Sequence, residues 1–128
     1  MKKKIVIVMV ALGVIGAGLY GGAYLIYQTK VKNIELTHPS LKDVADGQYT
    51  GGVNAIFVQA TVKVDVKDQQ ITTIELVKHV KDRGEKGEGV VAEVLVAQST
   101  DVDTVSGATN SSRVILKSIE NALEKGVD

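Results

Sequence analysis

The sequence contains no cysteine, and this absence removes several kinds of chemistry at once. Without a thiol, the chain has no disulfide, no thiolate nucleophile, no cysteine-ligated iron–sulfur cluster and no lipid attached through an N-terminal cysteine. Aromatic side chains are also scarce, at 4% of 128 residues, with no tryptophan. A stacking platform for nucleic-acid bases or an aromatic ligand cage is therefore not expected.

An excess of either charge is lacking as well. Fifteen Lys and Arg residues balance fifteen Asp and Glu residues, and the two signs are interspersed along the chain. A surface of this kind gives no electrostatic attraction to a polyanion, so we expect no nucleic-acid partner. The length leaves room for one membrane anchor and one domain of about a hundred residues.

What the chain does have is one long uncharged run, residues 5–27, directly after three consecutive lysines. As a helix this run would be about 34 Å long, which is enough to cross a bilayer. We therefore predict a membrane anchor over residues 1–28. A cleaved signal peptide is the alternative, although its apolar core is normally only about 7–15 residues. The lysines favour a cytoplasmic N-terminus, which would place the rest of the chain outside the cytoplasm at the cell membrane.

Small residues recur at intervals of four within the run, at Gly13, Ala17 and Gly21. This pattern is typical either of a helix-pairing face or of the ordinary glycine content of membrane spans. Residues 29–45 mix charged and apolar side chains and contain the only proline, Pro39, so we predict a linker there. His38 is an isolated imidazole in this segment, and we interpret it as solvated.

Alternating apolar residues after a turn at 46–52 predict β-structure. Residues 55–66 alternate as one half-buried strand, 67–70 suit a hairpin connection, and 71–80 alternate again. The alternation changes phase near Thr72 and Thr73, which predicts a β-bulge. The pattern therefore indicates an antiparallel hairpin at the centre of a small sheet.

The following loop, residues 81–89, is charged and rich in glycine. Its glycine spacing does not fit a dinucleotide-binding fingerprint, and Glu85 and Glu88 would place negative charge where a pyrophosphate needs donors. His79 and Arg83 flank the loop, either as solvated residues or as contacts to an anion.

Two segments with apolar residues at helical spacing follow, residues 90–98 and a segment from about Asn110 to Lys125. Together with the strands they predict an α+β fold, in which a small antiparallel sheet carries two helices on one face behind an N-terminal transmembrane helix. Between these helices lies a turn rich in hydroxyl groups, residues 103–112. It is either a well-capped helix start or an anion-binding one, since Gly107 frees the backbone and the helix start favours phosphate.

This turn resembles the signature of the FMN-binding domain family, Asp-x-x-Ser/Thr-Gly-Ala-Thr. The family includes the C subunit of sodium-translocating NADH:quinone reductase, the G subunit of Rnf-type complexes and small stand-alone membrane-anchored flavoproteins. An upstream stretch, Asp46-Gly47-x-Tyr49-x-Gly51, also resembles the family's pattern. The signature positions are Asp103, Ser106, Gly107, Ala108 and Thr109, followed by the hydroxyl pair Ser111 and Ser112.

The resemblance implies that residues 46–128 bind FMN and that Thr109 carries it covalently, as a phosphodiester donated from FAD by a separate flavin transferase. It implies an extracytoplasmic, membrane-anchored flavoprotein that relays electrons to or from a membrane or surface redox partner. The alternatives are a flavin-donating subunit of a reductase and a non-redox interaction module. Because no substrate-binding residues stand out in so small a domain, we expect an electron carrier rather than a self-sufficient oxidoreductase. The remaining predicted cofactor-binding residues are Asp103, Ser106, Gly107, Ala108, Ser111 and Tyr49.

Overall fold

A computed structural model describes residues 2–80 and 85–127. It shows a long N-terminal helix, a three-stranded antiparallel sheet and two further helices, which confirms the predicted α+β class. Short 3₁₀ turns lie at Leu41–Asp43 and Glu85–Gly89. The elements are α1 (Lys2–Lys32), β1 (Gly47–Ala55), β2 (Val58–Lys67), β3 (Gln70–Val80), α2 (Val90–Ala97) and α3 (Thr109–Glu124).

Helix α1 is long and apolar enough to cross a membrane. Its most apolar 18 residues have a mean hydropathy of 2.2, and this stretch is not buried by the rest of the protein. The last turns of the helix behave differently, because Tyr27 and Val31 are only 6% and 3% exposed and belong to the core. The helix thus fits single-pass membrane anchoring over most of its length and joins the folded domain at its end.

The strands follow one another in the order β1-β2-β3. The prediction of one continuous strand over residues 55–66 is wrong at its start, because Ile56 and Phe57 form the tight turn between β1 and β2. Ile56 takes a φ of 68°, and its N–H donates to the side-chain oxygen of Asn54 at 3.0 Å. The sheet therefore contains a second hairpin that the alternation of apolar residues did not reveal.

The predicted hairpin between β2 and β3 is confirmed. Its central residues, Asp68 and Gln69, both take positive φ, at 53° and 63°, as tight two-residue hairpin turns require. The predicted bulge is also present, since Asp65 faces Thr73 whereas Val66 faces Ile71. Thr72 is therefore the extra residue, and it shifts the phase of the strand by one.

The core lies between the sheet and α3. Helix α3 packs across β1 and β2 so closely that a Cβ at Gly51 would lie 2.3 Å from the backbone nitrogen of Ala122. Helix α2 packs against β3 and α3. The inward residues of β2 are all at most 3% exposed: Val58, Ala60, Val62, Val64 and Val66. Those of α3 include Val114, Ile115, Leu116, Ile119, Ala122 and Leu123.

Residues 29–45, predicted as a linker, extend α1 and then lie along the domain. Val44 forms a bridge with Val127. The fully buried carboxylate of Glu120 accepts hydrogen bonds from the backbone N–H groups of Thr37 at 2.8 Å and His38 at 3.0 Å. The His38 ring is partly exposed, as predicted, but its Nδ1 also lies 3.1 Å from Thr100 Oγ1. This segment therefore connects the anchor to α3.

Candidate functional site

The turn before α3 is held in place from inside by Ser112. The buried hydroxyl of Ser112 accepts the N–H of Val105 at 3.0 Å and donates to the carbonyl of Ala108 at 2.8 Å. The N–H of Ala108 in turn donates to the carbonyl of Val105 at 2.9 Å. Gly107 sits at the tip with a φ of 81° and open space around it, a backbone conformation that favours glycine. The turn is therefore fixed although its tip is exposed.

Thr109 is the first residue of α3 and is exposed to solvent. Within the described part of the chain its hydroxyl has no hydrogen-bond partner. Among the described residues, the first N–H of the helix to reach a carbonyl is that of Ser112, which donates to Ala108 at 2.9 Å, and the preceding N–H groups have no carbonyl partner there. A free hydroxyl thus stands beside free N–H groups at the positive end of a helix dipole, where negative charge is favoured.

Ser111 points inward from the same turn and meets His79. Its hydroxyl lies 3.2 Å from His79 Nε2, and His79 Nδ1 lies 3.1 Å from Glu88 Oε1. Ser111 is 2% exposed and the His79 side chain is 2% exposed, so the hydroxyl and the imidazole are shielded from solvent. The three side chains follow each other as serine, histidine and acid, as in a hydrolytic triad. Their contacts connect the start of α3 to β3 and to the second 3₁₀ turn.

The interpretation of His79 as a solvated loop residue or an anion contact is therefore wrong. A second irregularity in β3 leaves Val77 without a partner, because Thr61 faces Lys78 whereas Val62 faces Leu76. The shift turns His79 inward, opposite the buried Ala60. Nothing in the sequence marks this second change of phase. Arg83, the other residue predicted to flank the loop, lies outside the described residues.

The end of α1 lies directly beside the start of α3. The side-chain amide of Asn110 donates to the hydroxyl of Tyr27 at 2.9 Å, and Arg113 donates to the carbonyl of Ile34. Four of the five aromatic residues gather here, with neighbouring ring centroids 5.6–6.4 Å apart. They are Tyr20, Tyr24, Tyr27 and Phe57. Sequence reasoning missed this cluster because Phe57 is distant along the chain from the three tyrosines of α1.

Two grooves lined by residues that the structure describes flank the turn, and their charges are opposite. The first, of about 470 Å³, lies between α1 and α3; Lys32 and Arg113 are the charged residues that line it. The second, of about 500 Å³, lies beside α2 and is lined by Glu93, Asp101 and Asp103 among others. No group of three or more metal-ligating side chains occurs in the described ranges. The site therefore has one cationic flank and one acidic flank.

The structure brings most of the predicted site residues into this turn. Asp103 borders the acidic groove, Ser106 and Gly107 are exposed at the tip, and Ala108 is buried behind Thr109. The exception is Tyr49.

Tyr49 lies near the other end of α3. Its hydroxyl donates to the carbonyl of Ala45 at 2.6 Å, and its ring lies so close to Gly126 that a Cβ there would be 2.5 Å from Cζ. Because α3 has 16 residues, this end is about 24 Å from Thr109 at 1.5 Å per residue. The structure therefore does not bring Tyr49 to the predicted attachment point.

This geometry defines a class of protein, a small α+β module with an exposed hydroxyl at a helix start that favours anions. The sequence profile of the FMN-binding domain matches residues 52–124, more than half of the chain, and the chain belongs to this family. It is also 28% identical over 118 residues to an uncharacterized protein of Treponema pallidum (strain Nichols). That similarity covers 85% of this chain and 33% of the relative, so the chain spans about a third of the relative's length.

The residues present fit FMN, whose phosphate is anionic. The N–H groups at the start of α3 supply positive charge at Thr109, and the cations Lys32 and Arg113 supply it in the groove that Asn110 also lines. The groove that these two cations line lies within the range of roughly 300–1,000 Å³ that is usual for cofactor sites.

Proposed function

We propose that this protein is a membrane-anchored electron-transfer flavoprotein that carries FMN as a phosphodiester on Thr109. The observation that carries the proposal is the Thr109 hydroxyl, which is exposed and without a partner in the described chain, at the helix start that bears the family's signature. Asp103, Ser106, Gly107 and Ala108 form the surroundings that a flavin transferase would recognise.

The attachment needs help from outside the chain. A threonine hydroxyl is a weak nucleophile at neutral pH and requires a base or a metal for activation. The imidazole that reaches this turn is that of His79. It is buried and lies within hydrogen-bond distance of Ser111 and Glu88. A transferase must therefore remove the proton from Thr109.

The reaction balances as a transfer of the FMN moiety from FAD to the threonine. A bond forms between Thr109 Oγ1 and the phosphorus next to the ribityl chain, while the pyrophosphate bond of FAD breaks. AMP leaves, and the base takes the hydroxyl proton. The product keeps one negative charge, which the N–H groups at the start of α3 stabilise.

When bound, the flavin supplies the electron-transfer chemistry, and the protein supplies position and electrostatics. The chain presents Thr109 on a rigid helix whose first turn is fixed by Ser112. A covalent link prevents loss of the cofactor outside the cytoplasm, where we place this domain. Helix α1 would keep the flavin at the membrane, close to a membrane or surface redox partner.

Flavinylation is testable by intact mass. We expect the full chain, co-expressed with a flavin transferase, to gain the mass of FMN less one water. Thr109→Ala removes the acceptor oxygen and should abolish the gain, whereas Thr104→Ala in the same turn should keep it. Circular dichroism establishes that both variants fold. An unmodified wild-type protein, or a Thr109→Ala variant with full modification, would refute the proposal.

The orientation has a separate test. Three lysines at the start of α1 favour a cytoplasmic N-terminus. An added protease on intact cells whose outer surface is accessible should therefore digest residues 46–128. Protection of this domain until the membrane is lysed would reverse the proposed orientation.

A further inference from the structure

We propose that the groove between α1 and α3 holds the FMN attached to Thr109, so that the membrane anchor forms one wall of the flavin site. We call it the anchor groove. Helix α1 contributes Leu25, Gln28, Thr29, Val31 and Lys32, and α3 contributes Asn110 and Arg113. This inference rests on the proposed attachment of FMN to Thr109.

The position of the anchor groove makes it reachable from the attachment point. Asn110 follows Thr109 directly, and Arg113 lies four residues after Thr109, one turn along the same side of α3. A group esterified to Thr109 Oγ1 therefore begins at the edge of this groove.

Charge separates the anchor groove from the acidic groove on the other flank. A phosphodiester keeps one negative charge, and the anchor groove offers Lys32 and Arg113 with no carboxylate among its described lining residues. The acidic groove presents three carboxylates, those of Glu93, Asp101 and Asp103. Because opposite charges attract and like charges repel, the anionic tether favours the anchor groove.

The wall supplied by α1 is one continuous flank of the helix. Leu25, Gln28, Thr29 and Lys32 are spaced i, i+3, i+4 and i+7, which puts them on one side. The adjoining side carries Tyr27 and Val31, which are buried against the domain, and Val31 also borders the groove. The groove is therefore an open flank of α1 next to its packed face.

The two walls are already fixed to each other. Asn110 donates to the hydroxyl of Tyr27 at 2.9 Å, and Arg113 donates to the carbonyl of Ile34. Both donors come from the turn that follows Thr109. The helix that anchors the protein and the helix that carries the cofactor are thus joined at the groove, which would place the flavin at the membrane surface.

A tryptophan placed in the groove tests this directly, since the natural chain has none. Tryptophan in contact with a flavin quenches its fluorescence by electron transfer. Leu25 lines the groove and is 68% exposed, whereas the neighbouring Ile26 is 53% exposed and outside the lining, so Ile26→Trp is the matched control. The experiment uses full-length flavinylated protein in detergent, with intact mass measured first.

We expect Leu25→Trp to reduce the flavin fluorescence intensity and lifetime several-fold, and Ile26→Trp to leave both close to the wild-type values. Equal fluorescence in two fully flavinylated variants would overturn the location in the anchor groove while leaving the attachment intact. Absence of flavin from the wild-type chain would overturn the attachment itself, and the location with it. The mass measurement therefore separates the two failures.

The charge of the groove is tested by a second pair of variants. Lys32 lines the groove, and Lys30 is an exposed lysine of the same helical turn outside it. We expect Lys32→Gln to lower the fluorescence anisotropy of the attached flavin at low salt, because a contact to the tether is lost, whereas Lys30→Gln should not. Equal anisotropy of the two variants would contradict a role for Lys32 in holding the tether.

Discussion

The carboxylate of Glu120 gives the sharpest prediction about stability. It is fully buried in α3 and accepts hydrogen bonds from Thr37 N at 2.8 Å, His38 N at 3.0 Å and Thr100 Oγ1 at 2.6 Å. Burial raises the pKa of the Glu120 carboxyl, but these hydrogen bonds and nearby Lys117 outweigh it, so the pKa lies below its ordinary value of 4.5. The folded protein therefore holds Glu120 as a carboxylate.

The expected loss of stability follows from the hydrogen-bond donors around Glu120. Hydrogen bonds to a charged group contribute about 1.5–3 kcal/mol each, but Glu120→Gln keeps one carbonyl acceptor in place. We therefore expect Glu120→Gln to lower the free energy of unfolding by about 2 kcal/mol, which corresponds to roughly 8–16 °C in Tm for a domain of this size. Glu120→Ala leaves the buried donors without any acceptor and should cost more, about 3–5 kcal/mol.

The pH dependence has a definite sign. Because the folded pKa is lower than the unfolded one, the stabilisation is complete above the unfolded value near 4.5 and is lost as the pH falls through the folded pKa. We expect urea unfolding of the full chain, followed by circular dichroism, to show this loss in the wild type and a smaller loss in Glu120→Gln. Glu124→Gln, an exposed change one turn further along α3, is the control. Equal stability and equal pH slopes for the two glutamine variants would refute the reasoning.

Two further changes test the packing around the site. Gly51→Ala should destabilise the protein by about 3 kcal/mol, because its Cβ would collide with backbone atoms of Ser118 and Ala122, whereas Gly89→Ala, with its nearest contact at 3.9 Å, should change thermal stability by less than about 0.5 kcal/mol. Equal melting temperatures would contradict the close approach of α3 to β1. Ser111→Ala should cost about 1–3 kcal/mol, because His79 Nε2 loses its partner, yet the folded variant should still accept FMN on Thr109. Unchanged stability with lost flavinylation, measured by thermal melting and intact mass, would instead assign Ser111 to recognition by the transferase.

Local sequence patterns predicted the parts of the fold that depend on local physics. The inward face of β2 follows from its alternation, and the bulge at Thr72 follows from the phase change between Ile71 and Ile74. The turn at Ile56 was missed because an apolar residue there continues the alternation, although its φ of 68° takes it out of the strand. Backbone reversals without glycine or proline leave little trace in a sequence.

The candidate site likewise has features that the sequence predicted and features that it did not. The signature around Thr109 could be recognised because its residues are consecutive along the chain. The contact between Asn110 and Tyr27 could not be predicted, since the two residues are 83 positions apart and neither belongs to a periodic pattern. His79 was misassigned for a related reason: its burial depends on an irregularity at Val77 that only strand pairing reveals.

Residues 27–44 precede the predicted domain, but their contacts contribute to its stability. A boundary at residue 46 would remove Thr37 and His38 from the buried carboxylate of Glu120 and the carbonyl of Ile34 from Arg113. A buried charge that loses its donors is costly, so a chain cut at residue 46 should be less stable than one that keeps these residues. The same contacts hold the end of α1 beside Thr109. The segment between anchor and domain is therefore better understood as part of the site's support than as a spacer, because it sets the position of one wall of the anchor groove.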